Sequence, residues 1–144
     1  MISVEVLYSF STYSEFQEKL DEVEQYLDRY AKNKKKYAMF SIIEAVNNVF
    51  EHANKAETDL CITLTLIFTK NQLIIESTHN GEEFNYKKKL EKIGDPDIYF
   101  QNHLTALRGR GIAIMKKCAD NLQYFDNGRR ITLTFQLLGD ENGI

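Results

Sequence analysis

Apolar and polar residues alternate from the first positions, with Ile2, Val4, Val6 and Tyr8 facing one way and Ser3, Glu5 and Leu7 the other. That period of two predicts a strand. Thr12 with Glu15, or Ser14 with Gln17, then supplies a capping box. The helix that follows carries Phe16, Leu20, Val23, Leu27 and Tyr30 in a single apolar stripe, closed by Asn33 and the neighbouring lysines. A second helix is predicted from about Tyr37 to Ala53, with Ile42, Val46, Val49 and Ala53 on one face. Alternation returns at Leu60, Ile62, Leu64, Leu66 and Phe68, and a further strand covers Leu73 to Ser77, so Lys70-Asn71 reads as the hairpin between them. Past Thr78 comes the turn signal Asn80-Gly81, and residues 82 to 108, which hold Gly94 and Pro96, keep no sustained period. A stretch of that length in a compact domain favours a lid over a simple connector. Gly109-Arg110-Gly111 opens a third helix with Ile112, Met115 and Ala119 inward. Strands around Leu122 to Phe125 and Ile131 to Leu138 flank a tight turn at Asp126-Asn127-Gly128. The order β-α-α-β-β-lid-α-β-β predicts an α+β domain, with helices on one face of a mixed, mostly antiparallel sheet.

Composition narrows this picture without changing it. The 144 residues are 43% hydrophobic and 27% charged, which suits one soluble globular domain spanning 1–144. A net charge of -3 gives no basic surface for phosphate neutralisation, so no direct nucleic-acid partner is expected. Lys32 and Lys34 to Lys36 read as a solvated turn between helices. Cys61 and Cys118 lack metal-ligand spacing and are expected as two reduced core cysteines. No apolar run approaches a membrane span and no charged leader precedes one, so the expected setting is the cytoplasm, away from any membrane.

Candidate chemistry sits on the second helix. Glu44, Asn48 and His52 recur every four residues and stack along one face, drifting only about 40° per step. The face offers a carboxylate, an amide oxygen and an imidazole, with no lysine between Ala38 and Asn54. Asn48 suits Mg²⁺, which takes few protein oxygens and keeps several waters. Glu44, one turn earlier, can take a proton from a hydroxyl attacking a phosphoryl group. At Arg108-Gly109-Arg110-Gly111, glycines let backbone amides approach an anion at a helix N-terminus, and arginines can bracket a phosphate. Neither a Walker loop nor a dinucleotide fingerprint is present. Taken singly, these are an ordinary helix face and an ordinary loop entry.

In this order, however, the motifs resemble those of the GHKL (Bergerat-fold) ATPases, the nucleotide-binding domain shared by histidine kinases and gyrase. Among them, the chain is most similar to the stand-alone anti-sigma factor serine kinases. Residues Glu44 to His52 match the N-box, His79-Asn80-Gly81-Glu82-Glu83-Phe84 stands at the first glycine box, and Gly109-Arg110-Gly111-Ile112 at the second. The Asp95-Pro96 lid, about 82–108, and the hairpin from Asn127 to Leu133 also fit. The resemblance implies a two-layer α/β sandwich and an ATP- and Mg²⁺-dependent protein serine kinase. It implies Glu44 as the catalytic base, Asn48 as the Mg²⁺ ligand, and His52, His79, Gly81, Arg108, Gly109, Arg110, Gly111, Ile112 and Thr132 at the nucleotide, Thr132 near the adenine. The implied partners are a sigma factor and a STAS-type antagonist, with a homodimer as the implied assembly.

The chain departs from the family pattern at the first glycine box. Its initial aspartate, which accepts from the adenine amino group, is His79 here, and its second glycine is Glu83. A neutral imidazole has one lone pair for that bond and a protonated one has none. Glu83 adds a negative charge near the nucleotide. The alternative reading is therefore a GHKL regulatory module with weak or no nucleotide binding that acts through protein contacts.

Overall fold

A computed structural model describes residues 3–52, 60–83, 86–87, 91, 94–96 and 110–137. Ile2, Ala53, Arg108, Gly109, Leu138 and most of the expected lid lie outside the described residues, as do the side chains of His52 and Arg110. The elements are β1 (Val4–Phe10), α1 (Tyr13–Tyr30), α2 (Lys35–His52), β2 (Ile62–Phe68), β3 (Gln72–His79), α3 (Arg110–Cys118), β4 (Asn121–Phe125) and β5 (Arg130–Gln136). Strand order is β1-β2-β3-β5-β4, and all four pairings are antiparallel. The last strand thus lies between the third and fourth.

One sheet face is covered and the other is not, as the alternation predicts. Ile62, Leu64, Leu66, Leu73, Ile75, Leu133 and Phe135 are buried, while Thr63, Thr65, Ile74, Glu76, Thr132 and Thr134 are only half-buried. Against the covered face lie Phe16, Val23 and Leu27 of α1, Ile42 and Val46 of α2, and Ala113 and Met115 of α3. Each large side chain so buried contributes roughly 1.5–3 kcal/mol. The result is the two-layer α+β arrangement.

Local chemistry explains where the elements begin and turn. Of the two possible capping boxes, Thr12 and Glu15 form it: the Thr12 hydroxyl accepts from the Glu15 N–H, and the Glu15 carboxylate accepts from the Thr12 N–H. α1 ends when the Ala31 N–H bonds the Leu27 carbonyl, and a 3₁₀ turn over Lys32–Lys34 leads directly into α2, two residues earlier than predicted. The basic run is therefore not wholly solvated, because the Lys35 ammonium bridges Glu24 at 2.9 Å and Asp28 at 3.0 Å on α1. At the β2–β3 hairpin, Thr69 and Gln72 close around Lys70-Asn71. The β4–β5 connection takes positive φ at Asp126, Asn127 and Gly128, a region that Asn, Asp and Gly enter most readily.

Cys61 corrects the expectation of two core cysteines. It is exposed, because strand alternation turns it away from Leu60 and Ile62, which are buried on either side. Cys118 is half-buried beside Ser41, and both thiols are free.

Candidate nucleotide site

A small pocket opens where α2 packs against the end of β3. Ala45, Asn48 and Val49 form its helical wall, and Ser77 and His79 its floor. The β4–β5 side closes it with Tyr124, Gly128, Arg129 and Ile131. Its free volume is about 10 Å³, room for roughly one water. Three of the polar atoms around it are buried without a partner: Asn48 Nδ2, Ser77 Oγ and His79 Nε2. An unpaired buried polar atom costs about 1–3 kcal/mol, so this wall is better suited to a polar guest than to more protein.

Two turns fix His79. Its backbone N–H donates to the Arg129 carbonyl at 2.9 Å, tying the end of β3 to the β4–β5 turn. The Gly81 N–H donates to His79 Nδ1 at 3.0 Å, and Arg129 Nε donates to the Gly81 carbonyl at 3.0 Å. Burial above all lowers the His79 pKa, helped by the Arg129 charge. The Gly128 carbonyl and Asp126 pull the other way. The ring is thus neutral near pH 7, with its proton on Nε2 and its lone pair on Nδ1 already occupied.

The profile of the histidine kinase-like ATPase domain matches residues 19–135, most of the chain and all the elements that build this pocket. The chain belongs to that family. It is also similar to the serine-protein kinase RsbW of Listeria monocytogenes, at 25% identity over 95 residues, which is 65% of this chain and 60% of that protein. The corresponding protein of Listeria innocua is 24% identical over the same length and the same shares. The match therefore spans about 60% of the length of these curated relatives.

Within this ATPase domain the expected site residues fall into separate groups. Asn48 and His79 meet at the pocket, and Glu44 is half-buried one turn before Asn48 on α2. Gly81 is buried, but its N–H is committed to His79 and its carbonyl to Arg129, so it sets the turn. Ile112 is a core side chain at 3% exposure in the first turn of α3, so only its backbone is suited to an anion. Arg110 and Gly111 start that helix, Arg108 and Gly109 lie outside the described residues, and His52 is the last residue of α2.

Thr132 is a correction. Direct partners in an antiparallel ladder share a face; Thr132 is paired with Glu76, whereas Ile131 is paired with Ser77. The residue that β5 presents to the pocket is therefore Ile131, and Thr132 lies on the far side of the sheet. Glu83 also differs from expectation. Its exposed carboxylate is 3.2 Å from the Arg129 guanidinium, which offsets its charge.

Three polar side chains of the pocket were not among the expected site residues: Ser77, Tyr124 and Arg129. Ser77 had a signal, since it follows Leu73 and Ile75 on the inward register and is a polar residue among apolar ones. Tyr124 and Arg129 had none, because only the fold brings β4 and its turn beside α2. Tyr124 also stacks on Tyr86 at 4.7 Å between ring centroids, and burial pushes its phenol pKa well up.

The fit to ATP and Mg²⁺ differs between the two ends. Mg²⁺ needs little from protein, and no cluster of three His, Cys, Asp or Glu able to hold a metal occurs among the described residues. One amide oxygen from Asn48 is the sparse kind of ligation Mg²⁺ accepts. Adenine fits poorly at His79, because the amino group of the base and Nε2–H are both donors. Among the described residues, no helix is long and apolar enough to cross a membrane.

Proposed function

We propose that this ATPase domain is a Mg²⁺-dependent protein serine kinase of the anti-sigma type. In that reading it transfers a nucleotide γ-phosphoryl group to a serine of a STAS-class antagonist, and in another state it holds a sigma factor. ATP is the donor that the family name implies. The observation that carries the reading is Asn48 opening into the pocket beside His79, with Glu44 one turn back on the same helix. Membership of the family and similarity to a protein named as a serine-protein kinase support the reaction class.

The chain's own groups take distinct roles. The Asn48 amide oxygen holds Mg²⁺, and Glu44 accepts the proton of the attacking serine hydroxyl. Gly109, Gly111 and the first amides of α3 receive phosphate oxygens, and Arg108 or Arg110 offsets charge on the transferred group. A homodimer in the cytoplasm is the assembly and setting that go with such partners. The test is radiolabel transfer from a γ-labelled nucleotide to the serine of a STAS domain. Transfer that Glu44→Ala abolishes supports the kinase, and label that transfers equally with the variant overturns Glu44 as base.

A second reading has one observation in its favour. A pocket of about 10 Å³ is far smaller than a purine, as a regulatory module acting through protein contacts would allow. Calorimetric titration separates the two, since absence of heat with millimolar Mg-nucleotide sinks the kinase.

A further inference from the structure

His79 stands apart from its polar neighbours in the pocket because its hydrogen-bond polarity is fixed. The Ser77 hydroxyl rotates to donate or accept, and the Asn48 amide can turn to present oxygen or nitrogen. The imidazole has no such freedom. Gly81 N–H lies 3.0 Å from Nδ1, and turning the ring over would set a carbon against that amide. Putting the proton on Nδ1 would bring two N–H groups together. With Nδ1 accepting, the neutral ring carries its hydrogen on Nε2, and the protonated ring carries one there as well. Nε2 is therefore a donor in both charge states.

That donor is buried and incompletely spent. The His79 residue is only 9% exposed and lines the pocket, and although the Gly128 carbonyl draws on the ring's proton, Nε2 makes no hydrogen bond of full geometry. The restraint is built from both sides, because Arg129 holds the Gly81 carbonyl and accepts the His79 backbone N–H. Around it, Ala45, Val49 and Ile131 make the remaining surface apolar, and the enclosed volume of about 10 Å³ has room for the edge group of a base and not for its rings.

We propose that this pocket selects a nucleoside triphosphate whose base presents a carbonyl oxygen to His79, a 6-oxopurine such as hypoxanthine or guanine, over adenine. The proposal rests on the reading of the pocket as the base end of a nucleotide site. A 6-oxopurine brings an acceptor to Nε2–H, whereas adenine brings an amino group with two donors and no available lone pair. Donor against donor leaves both groups unpaired after desolvation, and sites that hydrogen-bond a substrate group discriminate strongly against analogues that cannot return the bond.

The test compares Mg-ATP with Mg-ITP by calorimetry on the full chain, since these purines differ only in the group at C6 and in the proton that the 6-oxo form carries on the adjacent N1. ITP is expected to bind at least about tenfold more tightly, a difference of roughly 1.4 kcal/mol. His79→Asp, which replaces the donor by an acceptor, is expected to reverse the order, and GTP reports whether a 2-amino group is admitted. Equal or tighter binding of ATP by the unaltered chain overturns the proposal while leaving the nucleotide site standing. An ITP preference that persists in His79→Asp overturns the assignment to His79. Absence of binding by every nucleotide at millimolar concentration overturns the nucleotide site itself, and this proposal with it. Should His79→Asp fail to fold, nitrogen chemical shifts of His79 in the unaltered chain decide the point. A bare Nδ1 with a protonated Nε2 is expected, and the opposite tautomer refutes the proposal.

Discussion

The polar face of α2 and the turn at the end of β3 meet in one pocket, yet they are built by opposite means. On α2, Glu44 and Asn48 are aligned by helical spacing, and Ile42 and Val46 on the buried face hold the helix down. At the turn, the Gly81 amide, the Arg129 carbonyl and the Arg129 guanidinium all converge around one imidazole. The first region offers groups that can adapt to a ligand. The second has surrendered that freedom and keeps a single donor. Chemistry placed by spacing survives changes elsewhere in the fold, whereas chemistry placed by a clamp changes with any member of it.

This contrast can be broken in several places. The largest effect is expected at Glu44. Glu44→Ala should lower phosphoryl transfer by about 10²–10⁴-fold, the range for a positioned general base, while nucleotide affinity measured by calorimetry stays within a few fold. Asn48→Ala comes next. Its loss should cost about 1–3 kcal/mol of Mg-nucleotide binding, or one to two decades in Kd, and chelating Mg²⁺ should erase the difference between variant and parent.

Arg129→Ala tests the clamp, since it frees the Gly81 carbonyl and Glu83 together. Because the Arg129 side chain is about a third exposed, denaturant unfolding should show a loss of only about 1 kcal/mol. The His79 resonances should nevertheless shift as its ring loosens.

The fourth prediction concerns pH. Burial lowers the His79 pKa in the folded chain, so between that value and about 6.5, the ordinary histidine value, the unfolded chain binds more protons than the folded one. Stability present above about pH 6.5 should therefore fall as the pH drops through the folded pKa. Denaturant midpoints at pH 7.5 and 5.5 should differ less for His79→Gln than for the parent. Thr132→Val should do least. Thr132 lies beyond the sheet from the pocket and its hydroxyl is already unpartnered, so nucleotide affinity should stay within about twofold, equivalent to roughly 0.4 kcal/mol.

Periodicity made the layers legible in advance. The stripe of Phe16, Val23 and Leu27, the inward register of β2 and β3, and the Lys70-Asn71 turn all express local spacing, which a sequence displays directly. Thr132 shows where this stops. A hairpin and a strand were expected there, but which residue faces the helices depends on pairing register, and a shift of one position moves a side chain through the sheet. His79 shows a deeper limit. Its identity is plain in the sequence, where its lone pair reads as available to a base. The structure assigns that lone pair to an amide two residues onward, a contact made by backbone conformation and not by residue type. Arg129 and Tyr124 were unreadable for the same reason, since only the completed sheet carries them to α2.

The position of β5 between β3 and β4 has a consequence for how the molecule comes into being. Translation releases β1, β2 and β3 in an order that already pairs them as neighbours. The amide of His79, however, waits for the Arg129 carbonyl, and the pocket waits for Ile131. Some fifty residues separate them, so closure is a long-range event that follows the local hairpins. A nascent chain halted before residue 129 can own a sheet, a core and the polar face of α2 and still have no place for a base.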